Sequence, residues 1–199
     1  MDRIQPFDLV IFLGLLAMFI VGYAQGVIRR LLGLGAIFFS LILGALLRPT
    51  VGQYLANEWT SIIPQYSYMV GFGAVFLASA VTLSLGIQIS YRPAPLFTKY
   101  PVLDELLGGL LGVLEGFLFI VIFLLITDPY FNLDAAKDHA GLGEFGIVRS
   151  LHEFIDPTLV ADVLRHSVIP VILTLFGFLF TQDVRDAFAR AFTVLTARR

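Results

Sequence analysis

The sequence predicts an all-helical protein that spans a membrane several times, and three observations carry this prediction. Of the 199 residues, 58% are hydrophobic and only 14% are charged, whereas a soluble domain is nearer a quarter charged. Four apolar stretches approach the ~20 residues that a helix needs to cross about 30 Å of hydrocarbon. Glycine recurs at every fourth position of the last stretch, which stacks these glycines on one helix face.

The four predicted spans are residues 7–23, 31–47, 68–89 and 103–126. Only residues 24–30 separate the first two spans, so these should form a tight helical hairpin capped by Arg29 and Arg30. The second span should end at Arg48 and Pro49, because proline disfavours helix at the residue before it.

The connector between the second and third spans contains Tyr54, Trp59 and Tyr66. Amphipathic rings of this kind favour the headgroup level of a bilayer, which predicts a connector lying on the membrane surface.

The composition becomes more polar after Asp128, which predicts a transmembrane domain over residues 1–128 and an amphipathic, membrane-associated helical tail over 129–199. In the tail, one helical face collects Phe145, Val148, Leu151 and Ile155. Residues 168–180 are apolar but would form a helix of only about 20 Å. We therefore expect this segment to be docked or re-entrant, and the chain to have five spans if it crosses.

Small residues at spacing four line three of the spans. They are Gly108, Gly112 and Gly116 in the fourth, Ala36, Ser40 and Gly44 in the second, and Ala74, Ala78, Thr82 and Gly86 in the third. Lipid gives helices no hydrophobic reason to associate, so close backbone packing has to supply the attraction. The stripes predict helix packing, either within one chain or at the seam of a homo-oligomer.

Glu115 lies about a dozen residues into the fourth span, where an ionisable group is costly and by default a functional hypothesis. Facing a lumen, it could bind a cation or relay protons. The alternative is a protonated acid hydrogen-bonded to a neighbouring helix, for instance to Ser40 or Thr82. In that case glutamine at position 115 should preserve stability, since it keeps a donor and an acceptor.

Charged residues near the span ends predict orientation. Asp8 and Asp104 stand at helix starts, where a carboxylate favours the positive end of the helix dipole. Four basic residues lie in the first and third connectors: Arg29, Arg30, Arg92 and Lys99. Positive loops stay cytoplasmic, so both termini are predicted to lie outside.

Several function classes are disfavoured. The thirteen Lys and Arg are scattered, so a nucleic-acid footprint is absent. The chain has no cysteine, and His139, His152 and His166 lie in the tail without the H-E-x-x-H spacing of a zinc site. No nucleophile elbow surrounds a serine. The sequence therefore predicts no metal, no cofactor and no enzymatic activity.

Three features follow one another in a recognisable order along the chain. They are Asp8 at the start of the first span, the hinge at residues 22–29 with Gly22 and Gly26, and Asp104 four residues before Gly108. Over about residues 6–128 the chain resembles the colicin V production (CvpA) family of bacterial membrane proteins. Relatives commonly carry arginine at the position of Gln25 and a basic residue at that of Glu105. The resemblance implies a four-span inner-membrane protein linked to colicin V production or export and to envelope maintenance, without catalytic residues or cofactor.

The leading hypothesis is a non-enzymatic scaffold or accessory protein of the bacterial cytoplasmic membrane, whose partners are the lipid bilayer and an unidentified membrane or envelope protein. The alternative is a homo-oligomeric channel or small transporter that uses Glu115 and the glycine-lined faces. A lumen-facing Glu115 would favour the channel. A Glu115 that is hydrogen-bonded inside a dry bundle would favour the scaffold.

Overall fold

A computed structural model describes residues 6–60, 63–90, 96, 97, 100–131, 145–179 and 182 of the chain. The predictions made for Arg92, Lys99 and His139 lie outside the described residues.

Four long helices confirm the predicted fold class. They are α1 (Pro6–Gln25), α2 (Val27–Glu58), α3 (Pro64–Ser90) and α4 (Pro101–Phe131). Each is long and apolar enough to cross a membrane. Shorter helices follow: α5 (Gly146–Ile155), α6 (Leu159–Val163), a π-helical segment (Leu164–Val168), α7 (Ile169–Phe176) and a 3-10 turn (Gly177–Leu179). The bent pair formed by α5 and residues Leu159–Leu175 is also long and apolar enough to cross a membrane, so the chain has four or five candidate spans.

Two helices continue through a proline, although the second span was expected to end at Pro49. Helix α2 continues through Pro49 to Glu58, and α4 continues through Pro129 to Phe131. The predicted end at Pro49 is wrong because tertiary packing overrides the local preference. Gly52, one turn beyond the proline, lies directly against Gly71 of α3.

The prediction of an aromatic connector at the headgroup level is also wrong in part. Tyr54 belongs to α2, and Tyr66 belongs to the first turn of α3, where it is completely buried. Its ring lies edge-on to that of Tyr130 at the end of α4, with 5.1 Å between the ring centroids. Only Trp59, between the two helices, remains in a connector and half-exposed.

The bundle is built from two helix pairs, α1 with α4 and α2 with α3, joined by contacts between α2 and α4. A single residue, Gly26, separates α1 from α2, and its φ of 73° lies in the region that favours glycine. The tight α1–α2 hairpin predicted from the short connector is wrong, because α1 packs chiefly on α4. The chain therefore turns at Gly26 to pass from one pair to the other.

The main core lies where α2, α3 and α4 meet the C-terminal helices. Ile37 and Leu41 of α2 and Phe72 of α3 are buried there against Ile122 and Leu125 of α4. Helices α6 and α7 with the π segment complete the same core through three buried residues, Ala161, Leu164 and Ile169. The described C-terminal helices thus pack on the spans, and residues 168–179 have the docked position that was one of the two expected for this segment.

Candidate functional site

Glu115 forms a buried ion pair with Arg30. Arg30 lies in the first turn of α2, and Glu115 lies near the middle of α4. The guanidinium Nη1 donates to the Glu115 carboxylate, and the two side chains are 7% and 11% exposed. Gly33 leaves room for the carboxylate, because a Cβ at this position would lie 3.3 Å from Glu115 Oε1. The pair joins one helix pair of the bundle to the other.

The partners proposed for Glu115 from sequence are not the ones found. Thr82 is exposed and donates to the Ala78 carbonyl at 2.7 Å, and the buried Ser40 hydroxyl has no hydrogen-bond partner. Arg30, which the sequence presented as an orientation signal beside Arg29, turns into the bundle instead. Glu115 is therefore paired with a second buried charge. A neutral glutamine at position 115 would leave Arg30 without its counterion, so it is no longer expected to preserve stability.

The hinge residues meet the beginning of α4. Asp104 is buried, and its Oδ1 accepts a hydrogen bond from the Leu96 N–H at 2.9 Å. Its Oδ2 lies against Gly26, at the place where any larger residue would put its Cβ. Asp104 lies in the first turn of α4, where its predicted interaction with the helix dipole is compatible with this contact. The contact also joins the start of α4 to the junction between α1 and α2. Asp8 lies at the other end of α1 and accepts from the Leu159 N–H at 3.0 Å.

The glycine ladder of α4 contacts α1 of the same chain. A Cβ on Gly108 would lie 2.6 Å from the Gly22 carbonyl oxygen. A Cβ on Gly112 would collide with the Met18 carbonyl, and one on Gly116 would lie 2.8 Å from Leu15 Cδ2. At Gly108 and Gly112 the obstructing atoms belong to the backbone of α1 and its junction with α2, so only hydrogen fits there and the two backbones touch.

The other two stripes behave differently from each other. On α2, Ala36, Ser40 and Gly44 are buried, and a Cβ on Gly44 would lie 2.7 Å from the Phe72 ring. Among the described residues nothing covers the α3 stripe: Ala74, Ala78, Thr82 and Gly86 are exposed. The tight α2–α3 crossing is made instead by Gly52 and Gly71, which the sequence did not single out because Gly52 was assigned to a connector.

A second buried charged cluster, missed from the sequence, joins α4 to the tail. Arg165 binds Asp128 with two hydrogen bonds, Nε to Oδ2 at 2.9 Å and Nη2 to Oδ1 at 2.8 Å. His152 Nε2 lies 3.0 Å from the same Oδ1, and Asp156 Oδ1 lies 2.8 Å from Arg165 Nη2. Two-pronged arginine–carboxylate pairs fix geometry as well as charge. The signal in the sequence was Asp128 itself, an acid directly after a long apolar run.

The tail histidines do not converge on a common site within the described residues. His152 belongs to the Asp128 cluster, whereas His166 pairs locally, with Nδ1 lying 2.8 Å from the Asp162 carbonyl. In the same part of the chain no group of three or more His, Cys, Asp or Glu could hold a metal ion.

A stretch of buried apolar residues on α4 separates the two charged clusters. Glu115 and Asp128 lie on the same helix about 20 Å apart, at 1.5 Å per residue. Between them stand five buried apolar residues: Leu118, Val121, Ile122, Leu124 and Leu125. No described polar side chain bridges this gap on α4, since Thr127 bonds its own helix at the Phe123 carbonyl.

Apolar helices of membrane length, backbone contacts at glycine and isolated buried ion pairs define the chain as a multi-pass membrane protein. A family model described as Colicin V production protein matches residues 7–140. The chain belongs to this family, as the resemblance in its hinge and glycine ladder predicted. No curated protein and no solved structure was found to match it. The matched region contains Arg30, Glu115 and Asp128, whereas helices α5 to α7 lie beyond it.

Proposed function

We propose that this protein is a non-enzymatic scaffold or accessory protein of the bacterial cytoplasmic membrane that takes part in colicin V production. The process comes from the description of its family, and the scaffold role is our proposal, which the buried contacts of the bundle support. The observation that carries the role is the pairing of Glu115 with Arg30 inside the bundle. A carboxylate engaged in this way holds helices together and is withdrawn from any solute.

A conducting role for Glu115 would need a polar route to each side of the membrane. Toward the Asp128 end, α4 presents about 20 Å of buried aliphatic side chains around Leu118 and Ile122. An aliphatic lining offers an ion few ligands to replace its hydration shell, which argues against conduction along this helix. The pair is better suited to fixing how α2 packs on α4.

The channel alternative also needed the α4 glycines at a subunit seam. These glycines are occupied by α1 of the same chain, and the outward side of α4 presents Leu110 and Leu114. Such a surface is suited to lipid. The scaffold role therefore requires no oligomer, and its proposed partners are the bilayer and a further envelope protein.

The orientation that we propose has four spans and both termini outside, and it rests on the positive charge of Arg29, Arg92 and Lys99, since Arg30 is paired with Glu115. A cysteine can be placed at Asp138 or Thr98 in this cysteine-free chain. In whole cells an impermeant thiol reagent should label the first and leave the second unlabelled. The reverse pattern would contradict the orientation. If the C-terminal helices cross as a fifth span, a cysteine after Arg199 should be protected as well.

Colicin V release from cells lacking their own family member tests the role directly. We expect the double variant Arg30→Gln with Glu115→Gln, in which two amides can still hydrogen-bond, to restore release as well as the unmodified chain does. Its matched control is Glu115→Gln alone, which should restore less because the protein is destabilised. A double variant that accumulates normally in the membrane but restores nothing would overturn the scaffold role, because the charges themselves would then be needed.

A further inference from the structure

Helix α5 has three different faces, and the described part of the chain covers only one of them. His152 is buried and points into the Asp128 cluster. Ile147 and Leu151, one turn apart, form an apolar face that is 73% and 46% exposed. Ser150 and Glu153 form a third face, which is polar and exposed. A helix surrounded only by water would have no reason to keep its apolar and polar exposed residues apart.

The anchor points of α5 lie at the ends of membrane-crossing helices. The N–H of Phe145, just before α5, donates to the hydroxyl of Tyr66 in the first turn of α3. His152 contacts Asp128 in the last turn of α4. Beside them, Trp59 lies edge-on to the Phe145 ring, with 6.1 Å between centroids. Tryptophan is enriched at the membrane–water boundary, which places α5 at that level.

The direction of α5 follows from its bend against the helices after it. Buried Ala161, Leu164 and Ile169 are spread over about two turns and all contact the main core, so α6 and α7 pack with their length against the spans. The axis turns by 81° between α5 and this segment. Helix α5 therefore lies across the end of the bundle, roughly in the plane of the membrane.

We propose that α5 is an in-plane helix whose Ile147 and Leu151 face binds the lipid surface, while Ser150 and Glu153 face water. A polarity pattern with separate apolar and polar sides is typical of helices seated at the boundary of headgroups and acyl chains. Exposed apolar side chains also follow the bend, since Val171 and Leu175 lie on the outside of α7.

The assignment is independent of the proposed function, since it rests only on the helices and on the chain being a membrane protein. It makes the C-terminal helices, which lie outside the matched family region, a second means of holding this end of the bundle at one membrane face. Membrane binding by α5 needs no charged lipid, because the face that contacts the bilayer, Ile147 and Leu151, is purely aliphatic.

Quenching in vesicles tests the proposal on the full chain, which has no native cysteine. Single variants Ile147→Cys and Ser150→Cys are labelled with a small environment-sensitive fluorophore and reconstituted in phosphatidylcholine vesicles. Quenchers are iodide in the water and a nitroxide placed near the top of the lipid acyl chain. Leu151→Cys and Glu153→Cys form a second matched pair, in case one label disturbs the fold.

We expect the lipid nitroxide to quench the label at 147 at least twofold more than the label at 150, and iodide to show the opposite preference. The second pair should repeat the pattern. Equal iodide access at both positions would overturn the proposal, because α5 would then lie in water. Protection of 147 and 151 from both quenchers would overturn it too, since another copy of the chain would be covering the face.

Discussion

Removal of one partner of the Arg30–Glu115 pair should destabilise the bundle, and removal of both should be much less harmful. The pair is buried in an apolar helical bundle. Loss of one member of a buried pair leaves an uncompensated charge and typically costs about 3–5 kcal/mol. We expect Glu115→Gln to be the more damaging single change. A lone glutamic acid can neutralise itself by taking up a proton, whereas arginine stays charged.

A double-mutant cycle separates the interaction energy of the Arg30–Glu115 pair from the cost of each single substitution. In the variant carrying both Arg30→Gln and Glu115→Gln, neither position carries a charge and the two amides can hydrogen-bond to each other. Its loss of stability should be smaller than that of either single variant, which gives a coupling energy of about 2 kcal/mol or more. Reversible unfolding in mixed micelles measures all four free energies of unfolding.

The cycle has a clear refuting outcome. If both single changes are nearly neutral and the double change equals their sum within about 0.5 kcal/mol, the two residues do not interact. The buried pair, and with it the argument that Glu115 is structural, would then fail. Leu114→Gln is a suitable control, because Leu114 lies next to Glu115 on the exposed side of α4.

Two further predictions concern the contacts that assemble the bundle. Gly112→Ile would force a branched side chain into the Met18 backbone, and overpacking costs about 1–3 kcal/mol. Its thermal stability in detergent should fall, whereas Leu114→Ile on the exposed side of α4 should leave the stability unchanged. Equal stability of the two variants would contradict close packing at the glycine ladder. Asp128→Asn removes the buried carboxylate that Arg165 contacts and leaves the guanidinium paired only with the half-exposed Asp156, which should cost about 1.5–3 kcal/mol, the range for a hydrogen bond to a charged group. Limited proteolysis should then cleave within residues 145–179 while α1 to α4 stay protected, and an unchanged cleavage pattern would show that Asp128 does not hold these helices.

Helical class and span number could be predicted from sequence because both depend on local quantities. Length and hydropathy decide whether a segment can cross the membrane, and spacing decides which residues share a helix face. The ladder of Gly108, Gly112 and Gly116 was therefore visible in advance. Local signals failed where packing opposed them, as at Pro49, where α2 continues because Gly52 fits against Gly71.

Sequence by itself determined that this chain is a membrane protein of apolar helices with a glycine-lined face and one acid deep in a span. Only the tertiary structure decided which groups meet: Arg30 with Glu115, α1 with α4, and Arg165 with Asp128. The physical reason is that periodicity fixes the faces of one helix but carries no information about its neighbour. A charge next to a connector has the same local sequence whether it turns toward water or into the bundle. Its partner, 85 residues away along the chain, is chosen by the packing of the helices.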